Sequence, residues 1–230
     1  MSVLTAGDLE AVALSLRVAA IATLVSLPVA FGVALALARG RFPGRSLLDA
    51  MVHLPLVLPP VATGYVLLIL LGRNGPLGRP LAEMGVVFAF DWTGAALASA
   101  VMAFPLMVRP IRLAIEAIDP EVDEVARTLG AGPMLRLWRV TLPLARPGLI
   151  GGAVLGFAKG LGEFGATITF AAAIPGQTLT LPTAIYQAVQ TPGGEARALA
   201  LCAVATAIAI TAVVASNALV RAIERPGRGR

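Results

Sequence analysis

Charged residues and cysteine are scarce in this chain, and lysine and histidine are nearly absent. Only 13% of the 230 residues are charged, whereas 57% are hydrophobic and the mean hydropathy is +0.85. Soluble domains carry about 25% charged residues, so this composition predicts a membrane protein. Cys202 is the only cysteine, which excludes an intramolecular disulfide. Its apolar surroundings predict a small buried side chain.

Lys159 is the only lysine and His53 the only histidine. A Walker A loop needs G-x-x-x-x-G-K-[ST], and Lys159 does not lie in such a loop. The metalloprotease motif H-E-x-x-H needs two histidines. We therefore expect no catalytic activity, no bound nucleotide or cofactor and no metal site in this chain, and we expect His53 to be structural or interfacial.

Five apolar runs are long enough to cross a bilayer, which takes about 20 residues. The predicted fold is all-α: a polytopic membrane protein with five transmembrane helices in a single domain, residues 1–230. The spans are expected at about 12–39, 48–72, 92–113, 147–173 and 197–221. The first run is long enough to be retained rather than cleaved as a signal peptide. The segment 76–91 is too short to cross and holds at most a re-entrant piece.

The arginines predict the orientation of the chain. Thirteen of them follow the first, third and fifth spans: Arg39, Arg41, Arg45, Arg109, Arg112, Arg127, Arg136, Arg139, Arg146, Arg221, Arg225, Arg228 and Arg230. The opposite loops hold only Arg73, Arg79 and Arg197. Because cytoplasmic loops are rich in basic residues, we expect the N-terminus outside and the C-terminus in the cytoplasm. The arginines form no single patch, so the net charge of +5 does not indicate nucleic-acid binding.

Residues 119–143, between the third and fourth spans, predict two short helices joined at glycine. Asp119 is placed as an N-cap, Pro120 as the first helical residue and Gly130 as a left-handed stop. The helix between them has one apolar face: Val122, Val125, Ala126 and Leu129. Such a helix lies on the lipid surface or inserts into a groove of a cytoplasmic partner. Its narrow apolar face and acidic start favour the partner, since anionic lipid repels acidic residues.

The same segment resembles the coupling motif in permease subunits of bacterial ABC importers, which reads E-A-A, three residues, G, nine residues, I-x-L-P. This sequence keeps that spacing, with Glu124-Val125-Ala126, Gly130 and Val140-Thr141-Leu142-Pro143. Val125 replaces the first alanine of the motif, and Val140 replaces the isoleucine. The resemblance implies the type I importer fold, with a coupling helix that docks on a separate ATPase. The ATPase-coupling residues it implies are Glu124, Val125, Ala126, Leu129, Gly130, Leu142 and Pro143.

Four further stretches resemble the molybdate permeases: "HLPLVLPPVATGY" (53–65), "FPLMVRPIRLAIE" (104–116), "LGEFGATITF" (161–170) and "YQAVQTPGGEA" (186–196). The likeness extends from about residue 14 to 222. It implies a permease homodimer in the bacterial inner membrane, in contact with membrane lipid. It also implies two copies of an ATPase that uses ATP and Mg, and a periplasmic molybdate-binding protein. Tungstate is an alternative substrate, because it matches molybdate in size and charge. Sulfate or thiosulfate, which are also tetrahedral oxyanions, are further alternatives.

A transporter of another class, working without ATP, is the alternative to an ABC importer. Such secondary transporters carry several titratable residues within the membrane for ion coupling. Away from their ends, the predicted spans of this chain hold one acid, Glu163, and one lysine, Lys159.

The second predicted span contains Pro55, Pro59 and Pro60, each of which removes a helical hydrogen bond. A broken helix is tolerated in a bilayer where it is buried in protein or lines a water-filled cavity. The prolines therefore indicate either a gate-lining element or a packing kink.

The fourth predicted span contains Glu163 four residues after Lys159, so the two side chains face one side and can pair. The pair lies beside the pathway or the dimer interface, or it is a structural ion pair that fixes helix register. Thr167 and Thr169 either offer hydroxyls to an oxyanion or bond their own i−4 carbonyls. The glycines nearby permit close helix approach or a local break: Gly160, Gly162 and Gly165.

Overall fold

The structure, a computed structural model, describes the backbone of residues 4–224 and the side chains of residues 4–215. All the regular elements in that range are helical, which confirms the all-α prediction. The helices are α1 (Ala6–Arg39), α2 (Arg45–Val57), α3 (Pro60–Leu71), α4 (Gly78–Glu83), α5 (Trp92–Glu116), α6 (Pro120–Thr128), α7 (Pro133–Arg136), α8 (Leu142–Leu144), α9 (Arg146–Leu161), α10 (Gly165–Phe170), α11 (Leu181–Gln190) and α12 (Glu195–Glu224). A π-helical turn, Leu137–Thr141, joins α7 to α8.

Three of these helices, α1, α5 and α12, are individually long and apolar enough to cross a membrane. Two sharply bent pairs also pass that test: α2 with α3, bent by 115°, and the segment Pro133–Leu144 with α9, bent by 66°. The count therefore reaches the expected five when each bent pair forms one span. The short helix α4 lies in the segment that was expected to be too brief to cross.

Contacts between side chains give the relative directions of α1 and α5. At one end, the Arg17 guanidinium lies 3.8 Å from the centroid of the Trp92 ring. At the other end, Leu37 shares a buried cluster with Ile111 and Ile115. The two helices are therefore parallel. We call the end at which α1 finishes, Arg39, the basic end of the bundle.

The helix α9 runs antiparallel to α5 and packs on it through glycines at four-residue intervals. Its buried glycines are Gly148, Gly152, Gly156 and Gly160. A Cβ added at Gly148 would lie 2.6 Å from the Pro110 carbonyl oxygen. One added at Gly152 would lie 2.9 Å from the Met107 carbonyl oxygen. Small residues at this spacing let two helix backbones approach closely in a membrane, and here they bring α9 directly against α5.

At the end away from Arg39, α1 is fastened to α11 and α12. The buried Asp8 carboxylate accepts hydrogen bonds from Arg197 Nη2 at 2.6 Å and from Arg197 Nε at 3.0 Å. The Leu181 N–H donates to Ser15 Oγ at 2.6 Å. Apolar residues of α1, α11 and α12 form one buried cluster around these bonds: Ala11, Leu179, Leu181, Ala184, Ala188, Ala198 and Leu201.

The fourth predicted span, 147–173, contains a local break, which is one of the two outcomes that its glycines allowed. The helix α9 ends at Leu161, and a short break at 162–164 precedes α10. Gly162 caps α9, and a Glu163 carboxylate oxygen accepts the Ala166 N–H at 3.0 Å. The Glu163 side chain therefore stabilises the break, because it accepts a hydrogen bond from a free N–H group in the first turn of α10.

Cys202 is exposed, so the prediction of a buried side chain is wrong. The buried positions of α12 lie one turn apart near its start, at Ala198 and Leu201, and Cys202, four residues after Ala198, lies at the exposed edge of the same stripe. Because α12 is apolar all round, its sequence does not reveal which face is covered. Arg221, Arg225, Arg228 and Arg230, four of the arginines that predicted orientation, lie outside the residues whose side chains the structure describes.

Candidate functional site: a coupling surface and a broken pathway element

The helix α6 is capped as its sequence predicts. Asp119 accepts the Glu121 N–H at 2.9 Å, and Pro120 occupies the first turn. Gly130 has a φ of +81°, in the left-handed region that favours glycine. The chain therefore turns away immediately after α6 and starts α7 at Pro133.

The apolar face of α6 is open to the surroundings. Val125 is 57% exposed and Leu129 is 82% exposed, and Val122 is also exposed. Ala126 is half-buried, while Glu124 is exposed beside it. Exposed apolar side chains in a row on one helix mark an interaction surface. The role of these residues in docking an ATPase remains a prediction, which this exposed face supports.

The far end of the motif lies where the chain bends into the bundle. Leu142 and Pro143 are half-buried in α8, directly after the buried Thr141 of the π-helical turn. The 66° bend between Pro133–Leu144 and α9 follows them. A short, irregular connection therefore links α6 to α9.

An ion-pair cluster that the spacing did not predict ties α6 to the bundle. The Asp123 carboxylate accepts from Arg136 Nη1 at 2.6 Å and from Arg39 Nη1 at 3.5 Å. One carboxylate thus joins the end of α1, the middle of α6 and the end of α7. In the sequence, Asp123 is only one of the acidic residues at the start of α6. Its partners lie 84 and 13 residues away, so no local pattern could identify them.

The second span is broken where the prolines predicted it. Leu58 and Pro59 separate α2 from α3, and Pro60 opens α3, whereas Pro55 lies within α2. The resulting bend of 115° faces α10: a Cβ added at Gly165 would lie 2.7 Å from Pro60 Cβ. A Cβ at Gly64 would lie 2.6 Å from the Ala166 carbonyl oxygen. The broken second span and α10 therefore form one closely packed unit.

Lys159 and Glu163 pair as predicted, with Lys159 Nζ 2.5 Å from Glu163 Oε2. The Glu163 side chain is only 1% exposed, whereas that of Lys159 remains partly accessible. Since Glu163 also holds the first turn of α10, its ion pair has a structural role. A role in the pathway is a separate prediction.

The two threonines of α10 differ in their hydrogen bonding. Thr169 Oγ1 donates to the Gly165 carbonyl at 2.9 Å, the common i−4 arrangement. The Thr167 hydroxyl is buried and has no partner among the described residues, and the same holds for Thr63 and Ser99. Buried hydroxyls normally find a partner, so these three are candidate donors to a ligand. His53 contacts the Asp49 carbonyl at 2.8 Å within α2, in keeping with a structural role.

A capped helix with an exposed apolar face, a glycine elbow and broken apolar helices are the features expected of a permease subunit of an ABC importer. Residues 28–226 match the family described as "Binding-protein-dependent transport system inner membrane component". The chain belongs to this family, and it is a multi-pass inner-membrane protein.

Known relatives and solved structures agree with this assignment. The chain is 52% identical to the molybdenum transport system permease protein ModB of Escherichia coli (strain K12), over 98% of this chain and 100% of that protein. It is 48% identical to ModB of Haemophilus influenzae, over 95% of this chain and 96% of that protein. The crystal structure of a bacterial ABC transporter involved in alginate import superposes with a TM-score of 0.77 at 20% identity, over 96% of this chain and 81% of that chain. This last likeness shows the fold alone.

Proposed function

We propose that this chain is the membrane-spanning subunit of an ATP-driven molybdate importer. The observation that carries the proposal is the exposed apolar face of α6, held outward by the Asp119 cap and the Gly130 elbow. That face belongs to a segment with the spacing of the importer coupling motif. The names of the relatives in Escherichia coli and Haemophilus influenzae support molybdate as the substrate.

The proposal requires a separate ATPase, in two copies, that uses ATP and Mg and receives α6 in a groove. It also requires a periplasmic molybdate-binding protein and a second copy of this chain. The homodimer follows from the resemblance to importer permeases, and exposed side chains of α2 and α3, Val57, Val61 and Tyr65, are free to contact either the second copy or lipid. The basic end of the bundle lies in the cytoplasm in this proposal, with the N-terminus in the periplasm, because arginines concentrate at cytoplasmic loops.

Contacts within the bundle provide a route from the ATPase to the pathway. Closure of the ATPase subunits displaces α6, and Asp123 transmits that displacement to α1 through Arg39. The π-helical turn transmits it to α9, whose far end carries Glu163 and α10. Because α10 packs against the break at Pro60, movement of α9 repositions the broken second span. Rigid-body movements of this kind produce alternating access.

The proposal is tested by ATP hydrolysis in liposomes containing this chain and its cognate ATPase. Molybdate-loaded binding protein should stimulate hydrolysis, whereas unloaded binding protein should stimulate it much less. Hydrolysis that ignores the binding protein in either form would contradict the proposal. A Leu129→Asp variant, which places a charge on the exposed docking face without disturbing any buried contact, should lose this stimulation.

A further inference from the structure

A cleft at the basic end of the bundle, beside α6, is lined by more arginines than carboxylates. The cleft lies between the end of α1, the start of α2, the end of α5 and the helices α6 and α7. Its volume is about 610 Å³. Five arginines line it: Arg39, Arg41, Arg45, Arg127 and Arg136. The same cleft holds three carboxylates: Glu116, Asp123 and Glu124.

The five arginines of the cleft outnumber its three carboxylates by two. Asp123 is shared by Arg39 and Arg136. Glu116 is engaged by Arg112, which does not line the cleft. Within the part of the chain that the structure describes, three of the five arginines form no ion pair: Arg41, Arg45 and Arg127. The cleft therefore keeps a surplus of guanidinium groups.

A second, independent observation concerns Arg136. Its Nε is buried and has no hydrogen-bond acceptor among the described residues, although its Nη1 is bonded to Asp123. Guanidinium groups present paired donors that match the oxygens of phosphate. The Nε is enclosed by protein, so the donors that a tetrahedral anion in the cleft would meet are the guanidinium groups of Arg41, Arg45 and Arg127.

We propose that this cleft binds a phosphate group at the cytoplasmic surface, next to the coupling helix. The apolar part of its wall is Ala38, Ile115 and Ile118. Arg39 ends the membrane-spanning helix α1, so the cleft lies at the depth of lipid headgroups. The phosphate is that of an anionic phospholipid headgroup or free inorganic phosphate, and the ligand lies within reach of Asp123 and Glu124. Its occupancy thus bears on the position of α6.

The test measures binding to the purified full chain in a neutral detergent at constant ionic strength. The probes are a short-chain phosphatidylglycerol, the matching phosphatidylcholine, inorganic phosphate and chloride. The cleft variant is Arg41→Gln/Arg45→Gln. The control is Arg139→Gln/Arg146→Gln, which removes the same charge from two exposed arginines outside the cleft that form no ion pair with any described residue. We expect phosphatidylglycerol or phosphate to bind more tightly than chloride, and the cleft variant to weaken that binding about tenfold or more.

The two sources of phosphate are distinguished by which probe binds. Binding of phosphatidylglycerol alone assigns a lipid headgroup, and binding of inorganic phosphate with similar affinity assigns the free anion. Equal losses in the cleft and control variants would overturn the proposal, as would binding no tighter than chloride. The single variant Arg127→Gln, on α6, repeats the test if the double variant does not fold, and it should weaken the same probe.

Discussion

Arg136 donates to the Asp123 carboxylate across 2.6 Å, so the helices on either side of the Gly130 elbow are joined by an ion pair as well as by the chain. The second oxygen of Asp123 lies 3.5 Å from Arg39, the last residue of α1. The coupling helix is therefore not a free surface appendage. A displacement of α6 can therefore act on the bundle through this carboxylate as well as along the chain.

Replacing Asp123 by Ala should reduce the efficiency of coupling. The ion pairs are half-exposed, and such pairs contribute about 0.2–1 kcal/mol, so molybdate uptake per ATP hydrolysed should fall about two- to fivefold. Parallel measurements of uptake and hydrolysis in proteoliposomes check this. The control is Glu121→Ala, an exposed first-turn acid with no ion pair among the described residues. An equal fall in uptake per ATP hydrolysed for both substitutions would show that Asp123 has no special role in coupling.

Replacing Gly130 by Val should disrupt docking while leaving the protein in the membrane. Gly130 has open space around it, so the cost is conformational: its φ is +81°, where a β-branched residue is strained by roughly 1–2 kcal/mol. That corresponds to a roughly 5- to 30-fold lower population of the docking-competent conformation. Gly132→Val is the matched control, since Gly132 has equally open surroundings and a φ of −64°. Unchanged molybdate uptake in the Gly130 variant would count heavily against the coupling role.

Replacing Gly152 by Ala should destabilise the bundle, whereas the same change at its neighbour Gly151 should not. The added methyl at Gly152 meets the Met107 carbonyl oxygen, which is backbone, while Gly151 has nothing within 4 Å. Overpacking of this kind costs about 1–3 kcal/mol. Thermal unfolding in detergent should therefore show a lower midpoint for Gly152→Ala alone. Identical midpoints for the two variants would show that α9 does not pack on α5 through this stripe.

The pair Lys159–Glu163 should show strong non-additivity in stability. Either Lys159→Met or Glu163→Gln leaves one charge of the pair unpaired, which is expensive in a buried setting. The double substitution leaves no unpaired charge, and the side-chain amide introduced by Glu163→Gln still offers an oxygen to the Ala166 N–H. Each single variant should therefore unfold at a lower temperature than the double variant. Effects that simply add would mean that the two side chains do not interact.

The same double variant separates a structural role from a role in the pathway. If Lys159 attracts the oxyanion during transport, the double variant should fold but lose most molybdate uptake. Because Lys159 is partly accessible, the pathway role predicts this loss. Full uptake by the folded double variant would assign the pair to structure alone.

The sequence predicted features whose causes are local. The Asp119 cap, the Gly130 turn and the break at Pro59 and Pro60 follow from the conformational limits of those residues, and the structure confirms each. The stripe from Gly148 to Gly160 was missed, although its four-residue period is visible in the sequence. Reading that period as a helix contact would have placed α9 against α5.

Other features depend on contacts that no local pattern contains. Asp123 lies 84 residues from Arg39, and Asp8 lies 189 residues from Arg197, so their pairing emerges only from the packed bundle. The sequence does not decide whether the helix breaks before α10, because the glycines near Glu163 are compatible with either close packing or a broken helix. Cys202 lies on an apolar helix with no distinct polar face, so its exposure could not be inferred.

The most direct test of the central claim is uptake of labelled molybdate by proteoliposomes containing this chain, its cognate ATPase and the binding protein. We predict accumulation that requires all three proteins and ATP, is not supported by a non-hydrolysable analogue, and exceeds the uptake of sulfate. Molybdate uptake without ATP would instead indicate a secondary transporter. No molybdate uptake from the complete, ATP-hydrolysing assembly would contradict the substrate.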